Sequence, residues 1–547
     1  MNSFARDIAP NLDLTRQRGA GAVRHHRPVY VDLLPPCNAA CPAGENIQAW
    51  LGLAQAGKYR AAWEALIRDN PLPAVHGRVC YHPCETSCNR KELDSAVSIH
   101  AVERFLGDLA MEQSWPMPVD KTTGGKRVLV VGSGPSGLSA AYHLTRLGHQ
   151  VEIREAGPLP GGMMHFGIPA YRLPREDLMK EIGRIEQMGV RIVLNHKVED
   201  LLAEKEAGHF DAVFVAIGAQ LGKRVDIPER DAAKVFTAVS LLHGVETGEA
   251  PKLGRRVVVY GAGNSAMDAA RTAKRLGAEE ALIVFIMDKS HMEARAFEAQ
   301  EAADEGIKFR WLSSIREIDA HEIMVEEMEL DGAGHPQPTG KFQVLSADSV
   351  VLALGQRAET EFLQNMPEIV RQADGTVVVG PDMMTGRPGI FAGGDMVPTE
   401  RSVTVATGHG KKAARHIDAW LRGGMYSHPA KHVVIAFSEL NLPIYADAAR
   451  SIQDELPVAR REGRFDEVVG GLTEKQARHE AKRCLSCGNC FECDNCYAAC
   501  PEDAIIKLGP TEGYEIKLDL CTGCGICVEQ CPCHAMEMVS EAKEVRT

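Results

Sequence analysis

The cysteines of this 547-residue chain stand in two groups. Five lie between Cys37 and Cys88, eleven lie between Cys484 and Cys533, and residues 89–483 contain none. Thiols this dense must be tied together, by disulfides or by metal, and either solution dictates the local fold. The spacing selects metal. Cys490, Cys493, Cys496 and Cys500 read C-x2-C-x2-C-x3-C with Pro501 following, and Cys521, Cys524, Cys527 and Cys531 repeat the run with Pro532. Zinc also uses paired C-x-x-C units, but a repeated three-plus-one spacing with proline suits two [4Fe-4S] clusters. In such pairs the fourth cysteine of each run ligates the other cluster. One expected set is then Cys490, Cys493, Cys496 and Cys531; the other is Cys500, Cys521, Cys524 and Cys527. Cys533 is left over, as a small packed residue near a cluster. Cys484 and Cys487, in RCLSC just upstream, are surplus to the motif.

The rest of the chain is ordinary globular material, 45% hydrophobic and 25% charged, and long enough for three or four domains. A formal net charge of -13 argues against a nucleic-acid footprint. No apolar run approaches the roughly 18 residues of a membrane span, and the first residues carry charges rather than an apolar signal core. A cytoplasmic protein without a membrane span is expected, in which disulfides are disfavoured.

Composition and periodicity divide the chain. Residues 1–30 read as an extended arm. Residues 31–112 read as a helical domain carrying the first cysteine group, since apolar residues recur at helical spacing through IQAWLGLAQAGKYRAAWEAL. Residues 113–126 have linker composition. A first dinucleotide-binding domain is expected in two parts, 127–240 and 350–424, around a second at 241–349. A connector (425–483) and a ferredoxin domain (484–547) follow. Strands alternating with helices imply α/β layers with parallel sheets.

Two glycine turns carry the nucleotide reading. Gly132, Gly134 and Gly137 form G-x-G-x-x-G directly after the strand VLVV. The first glycine permits the tight turn, the second lets a pyrophosphate approach the backbone, and the third lets helix and strand pack. Glu155, ending the next strand, is placed to accept from ribose hydroxyls. Gly261, Gly263 and Ala266 form a second fingerprint, G-x-G-x-x-A. Two such sites suggest one FAD and one nicotinamide. FAGGDM, with Gly394 and Asp395, fits a two-dinucleotide flavoprotein, whose aspartate lies near the flavin ribitol before a helix, here SVTVATGHGKKAARHI. The loop GGMMHFGIPAYRLP, including Gly162, resembles one that covers FAD in a branch of these proteins.

Together, GRVC, C-x3-C-E-x2-C, GSGPSGL, GGMMHFGIPAYRLP and IFAGGD resemble the small subunit of NADPH-dependent glutamate synthase, and are similar to the N-terminal half of dihydropyrimidine dehydrogenase. The resemblance runs from about residue 35 to 425. It implies an α/β, two-dinucleotide-binding, Rossmann-like flavoprotein core, flanked by an N-terminal α-helical iron–sulfur domain and, here, by a C-terminal bacterial 2[4Fe-4S] ferredoxin domain. The departures are informative. Where the glutamate synthase type has Tyr-Arg-Arg, this chain has Phe285-Ile286-Met287 followed by Asp288. An apolar pair cannot neutralise a 2′-phosphate and Asp288 would repel one, so NAD(H) is expected over NADP(H). Lys289 or Arg295 are the cations that could reverse this. No cysteine pair stands beside the flavin, so electrons are expected to leave through clusters rather than a dithiol.

By resemblance, the N-terminal domain holds two more [4Fe-4S] clusters, one of them with three cysteines and a helix Glu or Gln. Cys41, Cys80, Cys84 and Glu103 match that set. The other retains only Cys37 and Cys88, because the relatives' R-C-L-x-C motif is missing upstream. It stands instead as Arg483-Cys484-Leu485-Ser486-Cys487. The expectation is a fold-back in which Cys484 and Cys487 complete the distant cluster, giving four clusters in all. The alternatives are an incomplete cluster or unliganded packing cysteines. Functionally, an NAD(H)-dependent electron-transfer subunit is expected, serving a catalytic partner such as a 2-oxoacid oxidoreductase or a glutamate synthase large subunit. A free-standing NAD(P)H:ferredoxin oxidoreductase, a bifurcating transhydrogenase half and a passive iron–sulfur scaffold are the alternatives. No catalytic acid or base is named, since hydride transfer needs orientation rather than a protein nucleophile.

Overall fold

Short continuous apolar runs such as Val128–Val131 and Val257–Tyr260 form the middle of two five-stranded parallel sheets, because helices cover both faces. A computed structural model describes residues 24–119, 125–230, 234–509 and 512–541. Most of the expected arm (1–23), part of the expected linker (120–124) and the last residues of the expected ferredoxin domain (542–547) lie outside the described residues. The first sheet is ordered Ile390–Ala392, Ala212–Val215, Arg127–Val131, Gln150–Arg154, Arg191–Val193, every pair parallel. The second is ordered Lys308–Arg310, Glu280–Val284, Arg256–Tyr260, Ser349–Leu352, Val235–Thr237, again parallel. Each glycine fingerprint thus leaves a central strand, where an α/β sheet places its ligand crevice.

Between the nicotinamide fingerprint and Ser349 the chain also forms an antiparallel sheet of Ser313–Ile318, Glu322–Leu330 and Pro336–Ser346. No local pattern in the sequence announces it. Glu322–Leu330 alternates buried and exposed positions only in part, and the pattern is broken by a register shift near Glu326.

The N-terminal helices Ile47–Gln55, Tyr59–Leu66, Pro73–Val79 and Ile99–Glu112 bury Trp50 and Trp63 completely. Their core is continuous with that of the first sheet through Val130, Tyr142 and Ala413. The helix Glu474–Lys482 adds Ala477 and Ala481 to the same core, which brings a segment near the end of the chain back onto its beginning. A capping box of Thr473 and Gln476 starts this helix. The reverse excursion also occurs: His26–Tyr30 pairs antiparallel with Met536–Ser540, so the first described strand completes the small C-terminal domain. Among the described residues no helix is long and apolar enough to cross a membrane.

Candidate functional site

A cavity of about 910 Å³ opens at the carboxyl ends of the first sheet. Its floor is the turn Gly132–Ser136. At Gly132 φ is +100°, and a Cβ there would meet the Ala216 carbonyl oxygen at 2.5 Å. At Gly137 a Cβ would meet the Gly132 carbonyl oxygen at 2.0 Å, so helix and strand touch through backbone. Gly134 differs: a Cβ there would meet nothing within 4 Å, leaving the space before the helix Pro135–Arg146 that a pyrophosphate needs. Glu155 lines the cavity, with one carboxylate oxygen accepting from Ser133 N and Oγ at 2.9 and 2.6 Å and the other from Gly157 N at 2.8 Å. It therefore braces the glycine turn as well as lining the cavity.

The opposite wall comes from Gly394, Asp395 and the helix Val403–Leu421, whose first turn is capped by Ser402 Oγ. Asp395 accepts no hydrogen bond from a described residue. Desolvation pushes its carboxyl up to about 6, and Arg401 acts the other way. Gly162, Met163 and Met164 of the expected covering loop line the same cavity. An extended volume, an open glycine turn under a helix N-terminus and, opposite, a carboxylate that accepts no hydrogen bond among the described residues fit FAD.

The second fingerprint has the same construction. A Cβ on Gly261, where φ is +125°, would meet the Ala353 carbonyl oxygen at 2.3 Å, whereas Gly263 faces only the Glu293 carboxylate, 3.7 Å away. Ala266 is fully buried in the helix Asn264–Arg275. Asp288 Oδ1 accepts from Ser290 N and Oγ and from His291 Nδ1 at 2.9, 2.7 and 2.8 Å, capping a short turn. The Ser290 hydroxyl, then His291, hold its carboxyl down to about 2. Arg295 bonds to Glu400 at 2.5 Å and lies over the Tyr81 ring at 5.0 Å; Tyr81 itself lines the flavin cavity. The turn and its open face fit a nicotinamide dinucleotide.

A contact the sequence reading missed joins the two sites. Arg172 of the covering loop donates to both oxygens of Asp268, at 2.9 and 2.8 Å, and pairs with Glu298. Only the pairing of distant elements creates it, so no local signal announced it.

The cysteines fall into four groups. Cys37, Cys88, Cys484 and Cys487 line one small cavity. Cys500, Cys521, Cys524 and Cys527 line another. Cys490, Cys493, Cys496 and Cys531 lie together: burial pushes Cys490 up to about 11, with Cys496, Cys531 and Cys493 adding to it. Cys41 and Cys80 lie beside Glu103; burial, then Glu103, pushes Cys80 up to about 12. Cys84 is raised by burial, Cys80 and Cys41. Glu103 is 5% exposed, and its Oε1 accepts from Asn70 Nδ2 at 2.7 Å. Each group also has a backbone amide aimed at sulfur or a buried neighbour holding it: His82 N to Cys80 at 3.4 Å, Ser486 N to Cys484 at 3.4 Å, Ala535 N to Cys531 at 3.2 Å, and Ala504 N to Cys500 at 3.3 Å. Four cysteines, or three with a carboxylate, gathered in this way fit an iron–sulfur cluster. Cys533 stays outside the groups, its Sγ donating to the Asn489 carbonyl at 3.1 Å and standing 3.9 Å from Cys531 Sγ.

Against known proteins, residues 126–410 match the family model for pyridine nucleotide-disulphide oxidoreductase. Residues 31–115 match dihydropyrimidine dehydrogenase domain II, a 4Fe-4S cluster domain, and residues 489–535 match the 4Fe-4S dicluster domain. The chain is 34% identical to the NADP(+)-dependent formate dehydrogenase subunit beta of Moorella thermoacetica, over 83% of this chain and 70% of that one. It is 32% identical to the NADPH-Fe(3+) oxidoreductase subunit beta of Geobacter sulfurreducens, over 83% and 75%. It is 32% identical to the glutamate synthase [NADPH] small chain of Escherichia coli, over 71% and 89%.

Proposed function

The chain belongs to the pyridine nucleotide-disulphide oxidoreductase family, and we propose that it is an electron-transfer subunit linking a nicotinamide nucleotide, through FAD and four [4Fe-4S] clusters, to a catalytic partner. It is an FAD- and iron–sulfur-dependent oxidoreductase. The family's dithiol chemistry has no counterpart here, since residues 126–410 contain no cysteine. When bound, FAD supplies the exchange between a hydride and single electrons, and the clusters supply one-electron sites.

One observation carries the reading: Cys37 and Cys88 share a cavity with Cys484 and Cys487. This supports a series of four sites. Cys84 of the Glu103 group is raised by burial, then by Cys80, Glu85 and Cys41, with Cys37 of the next group adding to it. Tyr445 is raised by burial and then by Cys533, Cys487, Cys484 and Cys493, so it stands near both neighbouring groups. Cys527 is raised by burial, then by Cys521 and Cys524 of its own group, with Cys496 of the other group adding to it. Cys524 of the last group and Cys490 of the group before it are exposed. The protein's role is then to space and insulate the sites and to present the exposed end of the series to a partner. Relatives named as subunits or as a small chain support a catalytic partner over a free-standing enzyme.

For the nucleotide, Asp288 and the apolar run before it support NADH. The names of the relatives, which carry NADP(+) or NADPH, favour the second reading, in which Lys289 or Arg295 meets a 2′-phosphate.

Replacing Cys484 and Cys487 together with alanine is expected to remove about four iron atoms and leave the ferredoxin-type pair intact. Unchanged iron would overturn the fold-back cluster. Gentle anaerobic purification is expected to yield a complex with a second, larger subunit; an isolated active chain would favour the free-standing enzyme. Anaerobic flavin bleaching by NADH and by NADPH decides the nucleotide, and faster bleaching by NADPH would reverse the choice.

A further inference from the structure

The strand His26–Tyr30 does more than close a sheet. Side chains alternate along a strand, so Pro28 and Tyr30 share one face, and that face is turned toward the two cysteine groups of the C-terminal domain. Pro28 lines the cavity of Cys500, Cys521, Cys524 and Cys527. Tyr30 reaches the other group, its Oη standing 3.4 Å from Cys496 Sγ, 466 positions away in the chain. The ring is held in place. It stacks on Tyr514 with centroids 6.3 Å apart, its backbone is in register with Met536, and Val31 N donates to the Ala535 carbonyl at 3.0 Å. Tyr30, Tyr514, Cys496, Cys527 and Met536 belong to one small core.

A cysteine that ligates iron has lost its proton. The hydrogen bond can then run in one direction only, with the Tyr30 O–H donating and the sulfur accepting. Hydrogen bonds to cluster sulfurs are among the determinants of reduction potential. A reduced cluster carries one more negative charge than an oxidised one, so a fixed donor stabilises the reduced form more.

We propose that Tyr30 sets the potential of the cluster held by Cys490, Cys493, Cys496 and Cys531, by donating a hydrogen bond to Cys496 Sγ. Tyr30 is a positioning residue for that cluster, supplied by the opposite end of the chain, and it holds the third site of the series at a higher potential than its own loop would give. This rests on reading Cys496 as a cluster ligand.

The test is a redox titration of the full chain followed by EPR, with iron counted in the same samples. Tyr30→Phe removes one oxygen and keeps the stacked ring. The expected result is a negative shift of one cluster's midpoint, with the other midpoints and the iron content unchanged. Tyr514→Phe is the control, because the Tyr514 hydroxyl bonds to Asp494 Oδ1 at 2.7 Å rather than to sulfur; it is expected to leave the midpoint in place. An unmoved midpoint in Tyr30→Phe would overturn the proposal, as would equal shifts in both variants, which would assign the effect to general packing. Loss of about four iron atoms from Tyr30→Phe would also overturn it, by making Tyr30 a residue of assembly rather than of potential. Cys496→Ala separates the underlying reading: full iron retention there would show that Cys496 is not a ligand, whatever Tyr30 does.

Discussion

The Arg483 guanidinium reaches the Asp94 carboxylate at 3.0 Å, bringing the residue just before Cys484 onto the loop that follows Cys88. The same side chain is 1% exposed. It donates to the Ser95 and Ala96 carbonyls at 2.7 and 3.1 Å and to the fully buried Glu480 at 2.8 Å. Arg90 answers from the other side, donating to the Arg483 carbonyl at 3.0 Å. The arginine of RCLSC is therefore the anchor that seats the two cysteines. Arg483→Met is expected to cost about 3–5 kcal/mol, the usual result of removing one partner from a buried charge group. Because the loss falls on the seat of Cys484 and Cys487, thermal unfolding should shift down and iron should fall by about four atoms together. A variant that keeps full iron would show that the cysteines find their place without this anchor.

The two glycines of the first turn should fail differently. Gly134→Val adds a side chain where a Cβ meets nothing, so the fold is expected to survive while the flavin is lost from purified protein. Gly137→Ala forces a Cβ to 2.0 Å from a carbonyl oxygen, so the expected outcome is poor folding rather than a clean flavin-free protein. Absorbance near the flavin band, set against cluster absorbance, distinguishes the two.

Much of this was legible in the sequence, and the reason is local chemistry. Glycine turns, buried apolar strands and C-x2-C runs carry their meaning within a few residues, and the strand ending before Gly132 lies where VLVV placed it. RCLSC was legible at long range only because its five residues are distinctive against a domain that lacks them. What stayed hidden depended on pairing between distant residues with no distinctive pattern. His26–Tyr30 is a short stretch of mixed polarity, and nothing in it specifies Met536–Ser540 as a partner. Arg172 with Asp268 likewise joins a loop to a helix through common residue types. In the sequence Asp288 reads as a charge that repels a 2′-phosphate; its capping of Ser290 and His291 needs the turn itself to be seen.

That cap sharpens the nucleotide prediction. Oδ1 of Asp288 is occupied by Ser290 and His291, so a ribose hydroxyl would donate to Oδ2. Asp288→Ala is expected to weaken NADH by about 10- to 100-fold, the worth of a hydrogen bond to a charged group, and to leave NADPH unchanged or improved. The measurement is the concentration dependence of anaerobic flavin reduction with each nucleotide. Equal losses for both would mean that Asp288 only shapes the turn.

Acid is expected to weaken the joint between the nicotinamide domain and the connector. Glu305 accepts from Arg275 at 2.6 and 3.1 Å, from Arg271 at 2.8 Å and from Arg461 of the connector at 3.2 Å. Burial alone would raise this carboxyl, but the Arg275 and Arg271 guanidiniums pull it down to about 2. An unfolded glutamate titrates near 4.3. The folded value is the lower one, so the contribution is fully present above about pH 4.3 and is lost as pH falls toward 2. Glu305→Gln removes the charge at every pH and leaves three guanidiniums around a neutral amide. It is expected to cost about 3–5 kcal/mol at neutral pH and to flatten the fall in stability between about pH 4.3 and 2. Unfolding curves of the two proteins across that range provide the check, and parallel slopes would remove Glu305 from the acid response.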